Sequence, residues 1–175
     1  MKKQALSILL GTFLFFSGIN QLFADQYPAY TSYDSNTGAK ISWQPNYNGA
    51  VSLARTTSKP ILILFTGTNW CPACMKLERE VLTKPEFART IGDKFVFLKA
   101  EFPSYTADSI QASPYKFLLD RYQVDSFPTM IVIDAEGNVL FTVNYQTGGP
   151  DAYASELLNK LNQYQKTSPA PTYSY

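Results

Sequence analysis

Long apolar runs mark the parts of the chain that are expected to be buried. Residues 61–65 and 95–102 are dominated by apolar side chains, which is typical of strands in a parallel sheet covered on both faces. A third run, residues 129–134, is followed by residues 138–143 after a turn containing Gly137. Because glycine adopts the positive φ of tight turns, this pair predicts an antiparallel hairpin.

Between the strands, apolar residues recur with helical spacing. This spacing predicts helices over residues 48–55, 75–82, 85–91, 114–122 and 151–164, with a short strand at 41–43 and an irregular loop at 103–112. Thr83 and Glu86 have the spacing of a capping box, and Phe117 is expected to face inward with Leu118. From the first core strand onward the order is β-α-β-α-β-β-α, an α/β fold.

The start of the chain has the pattern of a secretory signal peptide. Lys2 and Lys3 precede an apolar run of about 15 residues, which is shorter than the roughly 20 residues of a spanning helix. We therefore predict a signal peptide over residues 1–24, cleaved near Ala24, with an uncleaved anchor as the alternative. Residues 25–40 are predicted to form a loose N-terminal arm, 41–164 the folded domain and 165–175 a disordered tail.

Composition removes several classes of function. The chain has no histidine among its 175 residues, which excludes Ser-His-Asp triads and Cys-His pairs. Its two cysteines are too few for a conventional zinc site, so no metal is expected. Beyond residue 24, thirteen basic and fourteen acidic residues leave a net charge of −1, so neither nucleic acid nor an anionic membrane surface is indicated as a partner.

Both cysteines lie in the segment Trp70-Cys71-Pro72-Ala73-Cys74, where a predicted strand leads into a predicted helix. A helix N-terminus favours a thiolate, so Cys71 is the predicted nucleophile at the exposed end, and Cys74 turns inward. A purely structural disulfide is the alternative, but closing so short a loop contributes little stability. The charged residues after Cys74, among them Glu78 and Arg79, are predicted to form a solvated face.

Two motifs give the chain a resemblance to the thioredoxin fold over residues 41–164. These are the Trp-Cys-x-x-Cys at 70–74 and Ser126-Phe127-Pro128-Thr129 before the hairpin. In such proteins the proline of the second motif is cis and lies against the dithiol, so we expect a cis Phe127-Pro128 bond. Residues 59–61, 65–71 and 98–103 resemble a secreted bacterial, DsbH-like subgroup that is similar to the C-terminal domain of DsbD.

The resemblance implies a central mixed sheet flanked by helices and a protein-disulfide reductase. Cys71 would attack a substrate disulfide and Cys74 would resolve the mixed disulfide, while Trp70 and Phe127 form an apolar rim and Pro128 and Thr129 offer backbone groups to the substrate. One position departs from the family: thioredoxin has a buried carboxylate where this chain has Phe65. Glu101 or water would then accept the proton of the buried thiol.

The residues between the cysteines indicate the direction of the reaction. A charged histidine there stabilises the reduced form of strong oxidants, and Pro72-Ala73 contains no charge, which favours a reducing couple. The sequence shows no nicotinamide or flavin motif, so the expected redox group is the Cys71–Cys74 pair alone. We expect electrons from a membrane protein of the DsbD type, protein disulfides as substrates and a periplasmic location.

Other functions remain open at this point. The same fold supports a dithiol oxidase or isomerase, and it also supports a non-catalytic binding or chaperone module. Thr68-x-x-Cys71 matches part of the peroxiredoxin motif, although Leu64 stands where that motif has proline. A thiol peroxidase is therefore a further alternative.

Overall fold

In the described part of the chain, five strands form one mixed sheet in the order β1-β3-β2-β4-β5 in the computed structural model. The strands are β1 Trp43–Gln44, β2 Ile61–Gly67, β3 Val96–Phe102, β4 Thr129–Ile133 and β5 Val139–Asn144. Strands β1, β3 and β2 are parallel, whereas β4 is antiparallel to both β2 and β5. Gly137 has a φ of 87° in the β4–β5 turn, so the predicted hairpin is confirmed.

Between residues 39 and 167, six α-helices connect and cover these strands. They are α1 Tyr47–Thr57, α2 Pro72–Leu77, α3 Pro85–Ile91, α4 Ala107–Gln111, α5 Lys116–Tyr122 and α6 Gly149–Thr167. A π-helical turn, Glu78–Leu82, continues α2 without a break. The structure describes residues 39–167, so the expected signal peptide (1–24), most of the arm (25–40) and most of the tail (165–175) lie outside the described residues.

Strand β2 is buried along its whole length because helices cover both faces of the sheet. Leu62 and Leu64 pack with α2, α3 and α6 on one face. Ile61, Ile63 and Phe65 pack with α1 and α5 on the other. Alternate side chains of a strand point to opposite faces, so an unbroken apolar run is what a strand between two helical layers requires. The α/β prediction is confirmed.

Helix α3 begins where proline predicts, but its N-terminal cap differs from the prediction. Lys84 is the capping residue and makes no side-chain cap hydrogen bond. The Thr83 hydroxyl instead donates to the carbonyls of Glu78 (3.0 Å) and Arg79 (3.3 Å). The capping-box interpretation is wrong because the π-helical turn places carbonyl groups within reach of Thr83.

Two further expectations along the middle of the chain are corrected. The predicted loop 103–112 contains helix α4, whose N-terminus is capped by the Thr106 hydroxyl accepting from the Ser109 N–H. In α5 the buried residues are Leu118 and Leu119. Phe117, expected to face inward, is 48% exposed and packs edge-on against Tyr47.

The last helix is longer than expected. Helix α6 continues to Thr167, so residues 165–167, which are expected in the disordered tail, are helical instead. The Thr167 hydroxyl donates to the carbonyls of Gln163 (3.0 Å) and Tyr164 (3.1 Å) at the helix end. Within residues 39–167, no helix combines the length and the hydropathy needed to cross a bilayer.

Tyr153 fixes the loop between β5 and α6 from inside the core. Its side chain is 1% exposed, and burial raises the pKa of its hydroxyl, which therefore stays protonated. The hydroxyl accepts from the Gln146 N–H (2.8 Å) and donates to the Gln146 carbonyl (3.1 Å). One buried side chain thus satisfies both backbone groups of a single loop residue.

Replacing Tyr153 by phenylalanine should lower the free energy of unfolding by about 1–3 kcal/mol, because both Gln146 backbone groups lose their partner. Urea unfolding measures the change. Tyr164→Phe in the same helix is the matched control and should change stability by less than about 0.5 kcal/mol, since Tyr164 is only half-buried. Equal effects of the two substitutions would contradict the assigned role of the Tyr153 hydroxyl.

Candidate functional site: the Cys71–Cys74 disulfide

Cys71 follows the end of β2 at Gly67 and directly precedes α2, and Cys74 lies in the first turn of that helix. They form a disulfide with an S–S distance of 2.06 Å. Cys71 is the N-cap residue of α2 and has extended backbone angles, and Pro72 occupies the first helical turn. Proline suits this place because its fixed φ is helical and its missing N–H has no partner there.

Backbone groups surround both sulfur atoms. The Cys74 N–H donates to the Cys71 Sγ at 3.1 Å, and the Gly67 N–H donates to the Cys74 Sγ at 3.4 Å. On its other side the Cys71 Sγ lies 3.8 Å from the carbonyl oxygen of Phe127. The helix N-terminus thus directs an N–H group at the Cys71 sulfur, an arrangement that favours a thiolate at this position.

Both cysteines are buried in this oxidised form. Cys71 is 5% and Cys74 is 2% exposed, so the expectation that Cys71 lies at the exposed end is wrong here. The reason is that its sulfur is bonded back to Cys74 and lies against the Phe127 carbonyl. Pro72 is exposed and Ala73 half-buried, so the residues between the cysteines reach the surface although the two cysteines do not.

The loop before β4 brings the second motif to the disulfide. The Phe127–Pro128 peptide bond is cis, which agrees with the expectation. The Thr129 hydroxyl donates to the Ser126 carbonyl at 2.8 Å, and Thr129 opens β4 opposite Phe65 of β2. Pro128 and Thr129 are buried, and the Phe127 carbonyl of this loop lies against the Cys71 sulfur.

An array of aromatic rings lies beside the disulfide. The Trp70 indole N–H donates to the Phe102 carbonyl at 2.8 Å. The Trp70 ring packs against Phe127 (5.5 Å between centroids) and Tyr105 (5.0 Å), and Phe127 also packs against Phe102 (5.3 Å). Tyr105 is 63% exposed, so the apolar rim expected from Trp70 and Phe127 extends further than the two motifs indicate.

Behind Cys74 lies an open cavity of about 560 Å³ with charged walls. Glu78 lines it and forms an ion pair with Lys99 (Nζ to Oε2, 3.0 Å). Glu101 also lines it and accepts a 2.6 Å hydrogen bond from the Thr68 hydroxyl. Phe65, at the position where thioredoxin has a carboxylate, is fully buried among apolar residues of the opposite sheet face.

A family model described as a thioredoxin-like domain matches residues 47–163. The chain belongs to the thioredoxin-like family. It is 31% identical over 124 residues to the disulfide bond reductase DsbH of Chlamydia pneumoniae, covering 70% of this chain and 74% of the relative. It is 33% identical over 112 residues to the thiol:disulfide interchange protein DsbD of Cronobacter sakazakii, covering 63% of this chain and 18% of that longer protein.

A solved structure, the DsbH oxidoreductase, matches this thioredoxin-like domain with a TM-score of 0.64 and 26% identity. The match covers 78% of this chain and 95% of that structure. Together with the bonded cysteine pair, these relatives make the domain a thiol-disulfide oxidoreductase of the Dsb type. The DsbH-like resemblance and the thioredoxin fold are therefore confirmed.

Some residues of this thioredoxin-like domain were missed by sequence reasoning. Glu78 was assigned to a solvated face, yet it is half-buried against Lys99 and shares a cavity with Cys74. A signal was present, because Glu78 follows Cys74 by four residues and such residues share one helix face. Tyr105 lies in a segment predicted to be an irregular loop, so nothing local indicated its contact with Trp70.

Gly67 is required by the close approach of the disulfide segment. A Cβ atom at this position would lie 2.5 Å from the Trp70 ring and 3.0 Å from the Cys71 Cβ. The Trp70 ring cannot yield freely because its N–H is bonded to the Phe102 carbonyl. The absence of a side chain at residue 67 therefore lets Trp70 and Cys71 fold back over the end of β2.

We expect Gly67→Ala to destabilise the protein by about 1–3 kcal/mol through overpacking, measured by denaturant unfolding of the oxidised form. Gly49→Ala is the control. Gly49 lies in α1, where a Cβ would meet its nearest atom at an ordinary 3.4 Å, and alanine there should be neutral or stabilising by up to about 1 kcal/mol. A neutral Gly67→Ala substitution would show that the indole can move aside.

Proposed function

We propose that this thioredoxin-like domain reduces protein disulfides in the periplasm. The observation that carries the proposal is the surroundings of the Cys71 sulfur. It accepts the Cys74 N–H and lies against the Phe127 carbonyl, and no charged side chain among residues 39–167 hydrogen-bonds to it. A thiolate supported by a helix N-terminus alone is stabilised less than one beside a charged histidine, so the dithiol gives up its electrons readily.

The reaction is a pair of sulfur exchanges. The Cys71 thiolate attacks one sulfur of a substrate disulfide, and the other substrate sulfur leaves as a thiolate that takes up a proton. The Cys74 thiolate then attacks the Cys71 Sγ of the mixed disulfide, which releases the second substrate thiol and forms the Cys71–Cys74 bond. Two electrons pass from the protein to the substrate. A second dithiol protein must return them.

Glu78 is proposed as the proton acceptor for Cys74, in place of the expected Glu101 or water. Both carboxylates line the cavity that Cys74 reaches. Glu101 already accepts a hydrogen bond from the Thr68 hydroxyl. Glu78 is on the same helical segment as Cys74, and it forms an ion pair with Lys99. Because residues four apart share one helix face, the Glu78 carboxylate lies on the same side of the segment as Cys74 and is placed to take up the proton that this thiol loses on becoming the attacking thiolate.

The location and the electron donor are supported by the sequence and by the relatives. The basic residues and the apolar run of residues 1–24 have the pattern of a secretory signal peptide. The relative that this chain matches over 74% of that relative's length is named a disulfide bond reductase. A reductase in an oxidising compartment requires recharging by another protein. A membrane dithiol protein of the DsbD type is the proposed donor.

The peroxidase alternative is disfavoured by the position of Thr68. In the partial motif Thr68-x-x-Cys71 the Thr68 hydroxyl would have to hydrogen-bond to the cysteine sulfur, but it donates to Glu101 at 2.6 Å. The oxidase or isomerase and the non-catalytic module differ from the reductase in measurable ways. An oxidase has a high reduction potential, and a non-catalytic module keeps its role without Cys71.

A glutathione or dithiothreitol redox titration of Cys71–Cys74 tests the direction. We expect a midpoint nearer to about −270 mV than to about −120 mV, the values of thioredoxin and DsbA. Insulin reduction with dithiothreitol should be accelerated by the unmodified protein and not by Cys71→Ser. A midpoint near the DsbA value, with faster oxidation of a reduced test protein than reduction of insulin, contradicts the reductase assignment.

Trapping identifies what the protein acts on. Cys74→Ala should hold mixed disulfides between Cys71 and substrate proteins, because the resolving thiol is missing. The trapped partners are identified by mass spectrometry.

Glu78→Gln should slow the resolution of the mixed disulfide by roughly tenfold or more. Glutamine keeps the shape and the contact to Lys99 but loses the capacity to hold the proton. Single-turnover kinetics followed by tryptophan fluorescence separate this step from the first attack, which should change little. The matched control is Glu80→Gln, because Glu80 is exposed in the same π-helical turn. Equal rates for the two variants would transfer the role to Glu101 or to water.

A further inference from the structure

A second groove lies beside the cis-proline loop and shares no lining residue with the Cys74 cavity. It has a volume of about 510 Å³ and lies between α4, α5 and Phe127. Its apolar walls come from Tyr105, Ile110, Leu119, Val124 and Phe127. The mechanism above makes no use of this groove, although it contains Tyr105, an exposed aromatic residue beside the disulfide.

A single residue, Phe127, connects the groove to the Cys71 sulfur. Phe127 lines the groove, and its carbonyl oxygen lies 3.8 Å from the Cys71 Sγ. The Tyr105 ring contacts Trp70, which precedes Cys71. An extended polypeptide advances about 3.3 Å per residue, so a chain whose cysteine meets Cys71 places its neighbouring residues within reach of this groove.

The rim of the groove carries an unbalanced negative charge. Lys116 and Asp120 pair with each other on α5. Asp125 is exposed, and no ion pair or hydrogen bond of its side chain occurs among residues 39–167. With one lysine and two aspartates at its edge, the groove complements a ligand that combines an apolar side chain with a positive charge.

We propose that this groove binds the substrate polypeptide next to its disulfide, with an apolar side chain against Tyr105, Leu119 and Phe127 and a lysine or arginine opposite Asp125. The proposal rests on the proposed function and adds a substrate class to it. The protein would favour disulfides flanked by apolar and basic residues, and it would disfavour those flanked by acidic residues.

Matched peptides test this preference. Each peptide carries a single cysteine in a mixed disulfide with glutathione, and the cysteine is flanked on both sides by Leu-Lys, by Leu-Glu or by Ser-Lys pairs. We expect kcat/KM to be at least about threefold higher for the Leu-Lys peptide than for either other peptide, the size of one or two exposed charge contacts or of part of a buried side chain. Equal values for all three peptides overturn the proposal.

Charge-reversal variants locate the preference. Asp125→Lys should reduce the ratio between the Leu-Lys and Leu-Glu peptides to about one or invert it, because the unpaired carboxylate becomes a cation. Glu136→Lys changes the net charge equally and lies in the exposed β4–β5 turn, at the far end of β4 from Thr129. It should leave the ratio unchanged. If both variants change the ratio alike, net charge and not the groove is responsible.

A small neutral disulfide, bis(2-hydroxyethyl) disulfide, distinguishes failure of the groove from failure of the proposed function. It carries neither flanking residues nor charge to meet the groove, so Asp125→Lys and Glu136→Lys should reduce it at the same rate. Absence of reduction of every disulfide would refute the reductase assignment itself. Reduction of all peptides at equal rates would refute only the groove.

A photo-crosslinking amino acid at Gln123, which is exposed beside Asp125, reports what occupies the groove. Crosslinks to the Leu-Lys peptide during turnover support the proposal. Crosslinks to the chain's own terminal residues, or to a second copy, that persist in the presence of the peptide identify a different occupant and overturn it.

Discussion

A single backbone N–H group, that of Cys74, serves both the fold and the chemistry. It completes the first turn of α2 by donating to the Cys71 sulfur, which takes the place of the oxygen in an ordinary helix cap. A helix N-terminus favours a thiolate, so the same N–H would stabilise a negative charge on the Cys71 sulfur in the reduced form. Because capping and thiolate stabilisation are one interaction, α2 cannot begin elsewhere without changing the reactivity of Cys71.

The sheet determines where this interaction occurs. Strand β2 is buried on both faces and pairs with β3 along its whole length, so its end at Gly67 is fixed by the core. Cys71 then follows in a turn that Gly67 makes possible. Strand β4, antiparallel to β2, starts at Thr129 opposite Phe65, which brings the Phe127 carbonyl to the Cys71 sulfur. Two strands of the core therefore position the Cys71 sulfur and the Phe127 carbonyl that lies against it.

Much of this arrangement could be predicted from sequence because it depends on local patterns. The apolar run of β2 and the glycine of the β4–β5 turn predict the sheet. The Trp70–Cys74 and Ser126–Thr129 motifs indicate the site. The burial of Cys71, the Glu78–Lys99 pair and the contact of Tyr105 with Trp70 depend on residues distant in sequence. Spacing within one element carries no information about such contacts, and the capping-box pattern at Thr83 was outweighed by the carbonyls of the π-helical turn.

The π-helical turn Glu78–Leu82 interrupts the regular α-helical pitch between α2, which carries Cys74, and the residues that follow it. A π turn accommodates an extra residue and shifts the angular position of everything that follows it. Helix α2 can thus orient Cys74 toward β2 while Val81 and Leu82 of the π-helical turn still reach the core. The chain between Cys74 and Pro85 is therefore not free to lose a residue: a deletion that restored regular α-helical pitch would rotate out of place either Cys74 or the core residues Val81 and Leu82.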